Sequence, residues 1–322
     1  MEKIIAEKDM RLDSFLTNYL NISRNQVENF IKVTGVMVNG KQTKKCGYKV
    51  KQADEVVFEI PSYDQQEQKV QYEVNFDIDI LHEDSELLVL NKPPYLTIHT
   101  APSVKEATLV DWLISKNYSL STISGEHRNG IVHRIDKETS GALVVAKTNQ
   151  AHTKLSTQLQ DKSMGRYYLA IISPPLKDDL TIESFIQRNP KNRLKMKSGT
   201  SGKYAKTRFI KLLTSKDNKY ELIAAKLYTG RTHQIRAHLE SISRSIVGDT
   251  TYGFKSKKDK IIRVMLHAYI IYFTHPKIGK KLFVKAPLFS DMQDMLEKHF
   301  LREDLDEKLS TEYILDRFST TV

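Results

Sequence analysis

Short strand patterns joined by tight turns constrain the fold of this chain more than any other feature. Apolar residues alternate or run together at residues 167–172, 207–213, 220–227, 269–273 and 282–286. Parallel strands need crossover connections of a dozen or more residues, usually a helix, whereas these segments are mostly separated by short turns. The pattern therefore predicts an α+β protein with a mixed, largely antiparallel β-sheet.

The first part of the chain predicts a small separate module. Apolar residues recur at helical spacing in two short stretches, and Ser23 with Gln26 forms a capping-box pattern at the start of the second. Gly35 is placed to end that helix, and Asn39-Gly40 predicts a tight turn between short strands. Two helices followed by a small basic β-structure indicate an α/β module.

The domain boundaries follow from changes in composition. We expect the N-terminal module at residues 1–62 and a polar, Gln-rich linker at 63–78. The larger domain is expected at 79–298, where the strand patterns lie. Residues 299–322 carry a dense run of charges and are expected to form a tail, either a partly solvated helix or disordered.

The charge balance favours a polyanionic partner. The formal net charge is +11 and the pI about 9.3. Ten Lys or Arg residues and no acidic residue lie between Ser184 and Lys216. Such segregation favours a face that binds RNA, although a basic surface that only aids solubility is the alternative.

Several classes of protein are disfavoured. No apolar run approaches the roughly 18–20 residues that a membrane span needs, so no membrane partner is expected. The opening MEKIIAEKDM has no apolar signal region. A single cysteine, Cys46, excludes an internal disulfide and a cysteine-built zinc site. We therefore expect a cytoplasmic protein.

One aspartate stands out in GIVHRIDKETSGALVVAKT, residues 130–148. Asp136 lies between basic residues in what is predicted to be a turn between two strands, with Ser140-Gly141 supplying the sharp bend. A carboxylate on such a turn can be held at a cleft. It can equally cap its own turn through the backbone, as Asp often does.

A second segment, KLYTGRTHQIRAHLESI at residues 226–242, predicts a strand followed by a helix that begins near Thr232. Arg231, His233 and Arg236 crowd the start of that helix. A helix N-terminus with arginines can bind an anion, either a phosphate or a protein carboxylate. His233 and His238 are a weak metal signal, because no Cys or Glu stands at ligand spacing.

Together these segments resemble the RluA-type pseudouridine synthases. The first motif is His133-Arg134-Ile135-Asp136 followed by Thr139-Ser140-Gly141, and the second is GRTHQIR at 230–236. Residues 11–45, RLDSFLTNYLNISRNQVENFIKVTGVMVNGKQTKK, resemble the S4 RNA-binding module. The resemblance implies a pseudouridine synthase fold and isomerisation of uridine to pseudouridine in structured RNA, with no cofactor and no metal.

The resemblance also assigns site residues. It implies that Asp136 is catalytic, that Arg231 pairs with it, and that Tyr168 rather than Tyr167 stacks on the flipped uracil. In a strand, Arg134 shares a face with Asp136, whereas His133 points the other way and is expected to be structural. Lys92 either contacts a phosphate or simply ends a strand. The set expected to bind the substrate is Arg134, His133, Lys92, Thr232, His233, Gln234 and Arg236.

Alternatives remain open at this point. An S4-like module combined with this catalytic domain resembles the branch of the family that acts on large-subunit ribosomal RNA, and transfer RNA is the second choice. A non-catalytic RNA-binding or ribosome assembly protein would keep the basic surface without the reaction. An RNA hydrolase using Asp136 and His133 would need a metal or a second base. The protein is expected to be a monomer.

Overall fold

The computed structural model describes residues 2–20, 24–59, 72–100, 104–125, 128–255, 261 and 263–319. The chain divides into two compact units, Met1–Val70 and Gln71–Val322. None of the helices in these described ranges combines the length and hydropathy that crossing a bilayer requires.

The smaller unit contains two helices and short strands. Its elements are β1 (Glu2–Ile5), β2 (Met10–Arg11), α1 (Leu12–Leu20), α2 (Arg24–Val33), β3 (Val36–Val38), β4 (Lys41–Thr43), β5 (Lys49–Val50) and β6 (Glu55–Phe58). Four strands pair in the order β1-β6-β3-β4, and β2 pairs with β5. The helices and the sheet enclose one apolar core, which includes Leu16, Val27, Ile31 and Val56.

Two local predictions for this unit are confirmed. Gly35 has a φ of 79° and its N–H donates to the carbonyl of Ile31, so it ends α2 in a conformation that glycine adopts without strain. Asn39 and Gly40 have φ of 48° and 76° and join β3 to β4. The predicted capping box falls on Ser23 and Gln26, whose side chains lie outside the described residues.

The larger unit is built on one extended sheet. Its strands are β7 (Asp79–Glu83), β8 (Leu87–Lys92), β9 (Ser140–Ala146), β10 (Gly165–Ser173), β11 (Leu180–Arg188), β12 (Met196–Gly199), β13 (Lys203–Thr214), β14 (Glu221–Leu227), β15 (Ser245–Ile246), β16 (Leu266–Thr274) and β17 (Lys281–Lys285). Its α-helices are α3 (Leu109–Ser115), α4 (Asn149–Asp161), α5 (Gln234–Ser241), α6 (Ser290–His299), α7 (Arg302–Lys308) and α8 (Thr311–Ser319).

The pairing of these strands confirms the predicted mixed, largely antiparallel sheet. In the described part of the chain the order is β12-β11-β13-β14-β10-β16-β9-β8-β7, with β15 beside β10 and β17 beside β16. Only the contact of β9 with β16 is parallel among these pairs. β9 and β10 lie on either side of β16. The sheet therefore brings the segment that precedes β9 close to β10.

The ends of the larger unit differ from the predicted boundaries. Residues 63–71 of the expected linker 63–78 lie outside the described residues, whereas Val74, Phe76 and Ile78 pack on the core of the sheet. The expected charged tail is helical, which agrees with one of its two alternatives, but it is not a separate region. It forms α7 and α8, whose apolar residues join the same core.

The predicted bend at Ser140-Gly141 is also wrong, because both residues already belong to β9. The turn lies just before them, where the Thr139 N–H donates to the Asp136 carbonyl at 3.1 Å. Gly141 has a φ of 109°, and a Cβ there would lie 2.3 Å from the Ala268 carbonyl oxygen. Glycine is therefore required here for the close approach of β9 to β16 rather than for a turn.

Candidate active site

Asp136 occupies the first position of the turn that leads into β9. Its side chain is 19% exposed, so the carboxylate reaches solvent from a partly enclosed position. Among the described residues no N–H of the turn donates to this carboxylate, although the Asp136 carbonyl accepts one from Thr139. The side chain therefore does not cap its own turn, and the geometry favours the alternative of a carboxylate held at a cleft.

The cleft at Asp136 has a volume of about 80 Å³. Tyr168 from β10 lines it together with the segment before Asp136 and the segment that leads into α5. Burial raises the pKa of the Tyr168 hydroxyl, which is thus neutral at ordinary pH. Tyr167 points to the other face, where its ring packs 5.5 Å from that of Tyr272 and 5.0 Å from that of Phe318. The register thus places Tyr168, not Tyr167, beside Asp136.

The arginine nearest to Asp136 is Arg236 rather than Arg231. Arg236 Nη1 lies 3.8 Å from the Asp136 carboxylate. Arg231 is exposed on the turn before α5, and its Nε donates to the carbonyl of Tyr204 at 2.9 Å. The expected pairing of Arg231 with Asp136 is therefore corrected, because side chains within a helix lean toward its N-terminus and bring Arg236 back over the cleft.

Arg236 is held in place by other carboxylates, and this corrects its expected role as a residue that binds the substrate. It is buried, and it donates to both oxygens of Asp249, at 2.6 and 2.8 Å. Its Nη2 also lies 3.3 Å from Glu138. Burial acts to lower the pKa of Arg236, but the hydrogen bonds and charge of Asp249 raise it above its usual value. The result is a fixed positive charge behind Asp136.

His233 lies between Asp136 and Tyr252. It is the N-cap residue of α5 with a φ of 54°, a left-handed conformation that is uncommon for residues other than glycine. Its Nδ1 lies 3.0 Å from the Tyr252 hydroxyl, and its Nε2 lies 4.0 Å from the Asp136 carboxylate. Burial lowers the pKa of His233, while the charge of Asp136 opposes that shift. A neutral ring therefore faces the carboxylate.

Lys92 lies at the end of β8 and is completely buried. Its ammonium donates to three backbone carbonyls, those of Pro93 at 2.6 Å, Leu96 at 2.9 Å and Lys137 at 3.0 Å. Burial lowers the pKa of Lys92 to about 7, and the charge of Asp136 opposes that shift. The expected phosphate contact is corrected, because the ammonium is enclosed and instead braces the turn that follows Asp136.

Gln234 is another corrected expectation. Its Oε1 accepts from the Thr229 hydroxyl and the Arg231 N–H, and its Nε2 donates to the Lys206 carbonyl and the Thr207 hydroxyl. These contacts use both lone pairs and both protons of the amide. Gln234 therefore joins α5 to β13 and has no group left for a substrate.

The remaining expected residues divide between the surface and the interior. Arg134 and Thr232 are exposed at the rim of the cleft. His133 is buried and its Nε2 accepts the N–H of Val144 at 3.0 Å, as expected for a structural residue. This contact removes the second base that a hydrolase would have used.

Arg166 also lines the cleft, and the sequence reasoning missed it. It lies in β10 two residues before Tyr168, so both side chains lie on the same face of the strand. The same argument that paired Arg134 with Asp136 would have found it.

One group of ligand-type side chains in the described ranges lies close enough to hold a metal ion: His82, Asp84 and His275. Both histidine Nε2 atoms lie within 2.8 Å of the same Asp84 oxygen. The Nδ1 of His275 accepts the N–H groups of Lys277 and Ile278. The ring proton is therefore on Nε2, which donates to Asp84, so the geometry favours a hydrogen-bonded brace over metal coordination.

The basic run at 184–216 forms the hairpins at the β12 edge of the sheet. Acidic residues from outside the run pair with part of it, since Lys195 lies 2.8 Å from Glu240 and Lys206 lies 2.7 Å from Glu183. The exposed basic residues of the run include Arg188, Lys191, Arg193, Lys197 and Lys203. The basic face is thus smaller than the sequence indicated.

Comparison with known proteins agrees with these motifs. A family model described as RNA pseudouridylate synthase matches residues 86–241, and an S4 domain model matches residues 10–56. A solved structure titled human RNA pseudouridylate synthase domain containing 1 aligns with a TM-score of 0.58 at 22% identity, over 76% of this chain and 96% of that chain. This likeness shows the shared fold.

Sequence relatives extend over nearly the full length. An uncharacterized RNA pseudouridine synthase of Helicobacter pylori strain 26695 is 50% identical over 99% of each chain. The ribosomal large subunit pseudouridine synthase D of Neisseria meningitidis serogroup B is 34% identical over 94% of this chain and 82% of its own. The chain therefore belongs to the RNA pseudouridine synthases with an N-terminal S4 domain, and it is an isomerase that acts on RNA.

Proposed function

We propose that this protein converts specific uridines of large-subunit ribosomal RNA to pseudouridine, with Asp136 as the catalytic residue. The observation that carries the assignment is the position of the Asp136 carboxylate. It is partly exposed in a cleft lined by Tyr168, and a fixed guanidinium lies 3.8 Å behind it. A buried positive charge at that distance attracts the carboxylate and helps to hold it at the cleft.

The reaction breaks the C1′–N1 bond, rotates the uracil and joins C5 to C1′. Asp136 acts on the ribose, either by attack on the sugar or by removal of a proton from it. Tyr168 lies on the same face of the cleft and is placed to support the detached base. The target nucleotide must leave the RNA stack to reach this position, because the carboxylate lies inside a cleft.

The choice of ribosomal RNA rests on relatives and on domain content. Two Neisseria meningitidis relatives, at 34% and 35% identity, are named ribosomal large subunit pseudouridine synthase D. The S4 domain offers a second RNA-binding unit, which suits a large folded RNA. We propose that the protein acts as a monomer, because a single copy of the chain already brings the Asp136 carboxylate, Tyr168 and the Arg236 guanidinium together at the cleft.

The test combines one substitution with mapping of the product. Asp136→Asn keeps the size of the side chain and removes its charge. We expect it to abolish isomerisation while folding and RNA affinity change little, because affinity depends mainly on Lys and Arg contacts to phosphates. Pseudouridines are mapped in total RNA from cells that lack the protein, complemented with the wild type or with Asp136→Asn.

The outcomes separate the alternatives. A pseudouridine in large-subunit ribosomal RNA that is restored by the wild type alone supports the proposal. A pseudouridine restored only in transfer RNA would show that transfer RNA is the substrate. Full restoration of the pseudouridine by Asp136→Asn would show that Asp136 is not the catalytic residue. If the wild type restores no pseudouridine but corrects a ribosome assembly defect, the protein acts as a binding factor.

A further inference from the structure

A second cleft adjoins the one that contains Asp136. It has a volume of about 210 Å³ and is lined by residues from α4, β10, β14 and β16. Three residues line both clefts: Arg166, Leu227 and Gly230. The two clefts therefore meet at the guanidinium of Arg166. The motifs of the sequence do not account for this second cleft.

Arg166 is a buried cation for which the described part of the chain supplies no clear acceptor. Only 8% of the residue is exposed, and its Nε has no hydrogen-bond partner among the described residues. Its Nη1 lies 3.1 Å from Nδ1 of His133. Because the Val144 N–H donates to His133 Nε2, the single ring proton of neutral His133 is on Nδ1. A protonated Nδ1 cannot accept a hydrogen bond from Arg166, so this contact does not offset the positive charge of the guanidinium.

A buried charge without a partner is costly, and arginine stays protonated under all ordinary conditions. Its other guanidinium nitrogen, Nη2, lies where the two clefts meet, 3.2 Å from the position that a Cβ on Gly230 would take. Glycine at 230 thus leaves room for the guanidinium. This arrangement calls for an anion from outside the protein.

Lys226 supplies a second cation in the same cleft. Its Nζ lies 5.5 Å from the ring centroid of Tyr167 and 5.2 Å from that of Tyr228. None of the ion pairs formed by the described residues includes Lys226, whereas Lys206 on the adjacent strand pairs with Glu183. Burial lowers the pKa of Lys226, and the nearby charges of Arg208 and Lys281 add to that shift.

We propose that this second cleft binds the phosphodiester group of the nucleotide next to the target uridine, through Arg166 and Lys226. The inference rests on the proposed function, since it takes Asp136 as the position of the target. A phosphate at the junction supplies acceptors for Arg166, and its negative charge offsets two cations that form no ion pair with a described carboxylate.

Aromatic side chains in the same cleft fit the base of that neighbouring nucleotide. Tyr228 and Tyr272 line the cleft and are half-buried, so each keeps part of its ring accessible. Single-stranded RNA binds by stacking its bases on aromatic rings while cations contact the backbone. The cleft therefore combines both elements beside the site where the target nucleotide enters.

The test measures binding of a fluorescein-labelled oligouridylate of about ten nucleotides. Fluorescence anisotropy is recorded between roughly 50 and 200 mM KCl for the full chain and its variants. We expect Lys226→Gln to weaken binding about tenfold and to lower the slope of log affinity against log salt by about 0.7. Arg166→Gln should do the same.

Lys285→Gln is the matched control. Lys285 also lies on the sheet above a tyrosine, 5.1 Å from the Tyr269 ring centroid, and it lines neither cleft. Its substitution removes the same charge and should leave the slope unchanged. If Arg166→Gln does not fold, the comparison of Lys226→Gln with Lys285→Gln decides alone. Equal effects of those two variants, or no binding of the oligouridylate by the wild type, overturn the proposal.

The measurements distinguish an incorrect role for the second cleft from an incorrect proposed function. If the wild type modifies its RNA, and Lys226→Gln and Lys285→Gln have equal affinity and equal kcat/KM, only the proposed role of the second cleft is rejected. If the wild type binds the oligouridylate through Lys226 but forms no pseudouridine in any cellular RNA, only the proposed function is rejected.

Discussion

Arg236 organises the acidic residues around the candidate site. Two of its nitrogens bind both oxygens of Asp249, so the plane of the guanidinium is fixed. The remaining contacts reach Glu138 and Asp136. A lysine at this position would offer one point charge in place of a planar group, and it could not hold Asp249 and face Asp136 at once.

This geometry predicts different effects for the two arginines of the second motif. Arg236→Lys should lower the single-turnover rate at saturating RNA by about a hundredfold, because the charge behind Asp136 moves. Arg231→Lys should keep a rate near that of the wild type. The measurement is pseudouridine formation in a pre-mixed enzyme–RNA complex.

Both variants keep the positive charge, so a difference between them reports geometry rather than net charge. Thermal unfolding serves as the check that Arg236→Lys is folded at the assay temperature. The opposite order, with Arg231→Lys slow and Arg236→Lys normal, would restore the pairing of Arg231 with Asp136.

The sequence predicted which residues line the site more successfully than it predicted which of them contact one another. Motif and strand alternation placed Asp136, Tyr168 and Arg134 around one cleft, as the structure does. They did not determine which arginine faces the carboxylate. That outcome depends on where α5 begins: Gln234, not Thr232, is its first residue, and this offset decides which side chain turns inward.

At the scale of secondary structure, the C-terminal helices α7 and α8 are part of the larger unit. Phe318 is 6% exposed and packs against the ring of Tyr167, while the Arg208 guanidinium lies 5.7 Å from the Phe318 ring centroid. The Tyr269 hydroxyl donates to the Leu309 carbonyl at 2.8 Å. These contacts join α8 and the end of α7 to β10, β13 and β16, and β10 is the strand that carries Tyr168.

Truncation of one of these side chains should therefore destabilise the larger unit. We expect Phe318→Ala to lower the free energy of unfolding by about 3 kcal/mol, through loss of buried area and the cavity it leaves. Tyr313→Ala, on the same helix but only partly buried, should cost less. Urea unfolding of both variants measures the difference, and equal small losses would show that α8 is not coupled to the core.

Strands were predicted more reliably than these helices, for a physical reason. The period-2 or continuous apolar runs of β10, β14 and β16 leave little ambiguity. In α7 and α8 the apolar residues Leu305, Ile314 and Phe318 are separated by acidic neighbours, so composition indicated a charged tail, either a partly solvated helix or disordered. Burial of one narrow face against the sheet, which composition cannot show, determines their structure.

At the scale of the whole molecule, buried neutral histidines couple stability to pH. Burial lowers the pKa of His238 and of His267 to about 4, and burial lowers that of His133 well below its usual value. The unfolded chain takes up protons on these rings near pH 6.5, whereas in the folded chain His238 and His267 do not take up protons until about pH 4. The unfolded state then binds more protons, so stability should fall as pH falls through that window.

The expected slope is up to about 1.4 kcal/mol per pH unit for each such histidine. His238→Gln removes one titrating ring, so its free energy of unfolding should depend less steeply on pH between about 6.5 and 4. Urea unfolding at several pH values, followed for the wild type and this variant, gives both slopes. Parallel lines would show that His238 titrates alike in the folded and unfolded chain.

The N-terminal unit provides the last prediction, which concerns the division of labour between the two units. Residues 1–60 contain ten Lys or Arg residues, and the residues that line the Asp136 cleft all come from the larger unit. The cores of the two units are formed by separate sets of residues. Deletion of residues 1–70 should therefore leave a larger unit that folds and keeps its cleft.

We expect this deletion to weaken binding to large structured RNA. The slope of log affinity against log salt should flatten by about 0.9 for each phosphate that the truncated protein no longer binds. Single-turnover rates at saturating RNA should stay near those of the full chain, because the groups that act on the target remain. Rates and affinities are measured on the same RNA for both proteins. A truncated protein that is folded and RNA-bound but inactive would show that the N-terminal unit is needed for the reaction itself, and would contradict a role confined to binding.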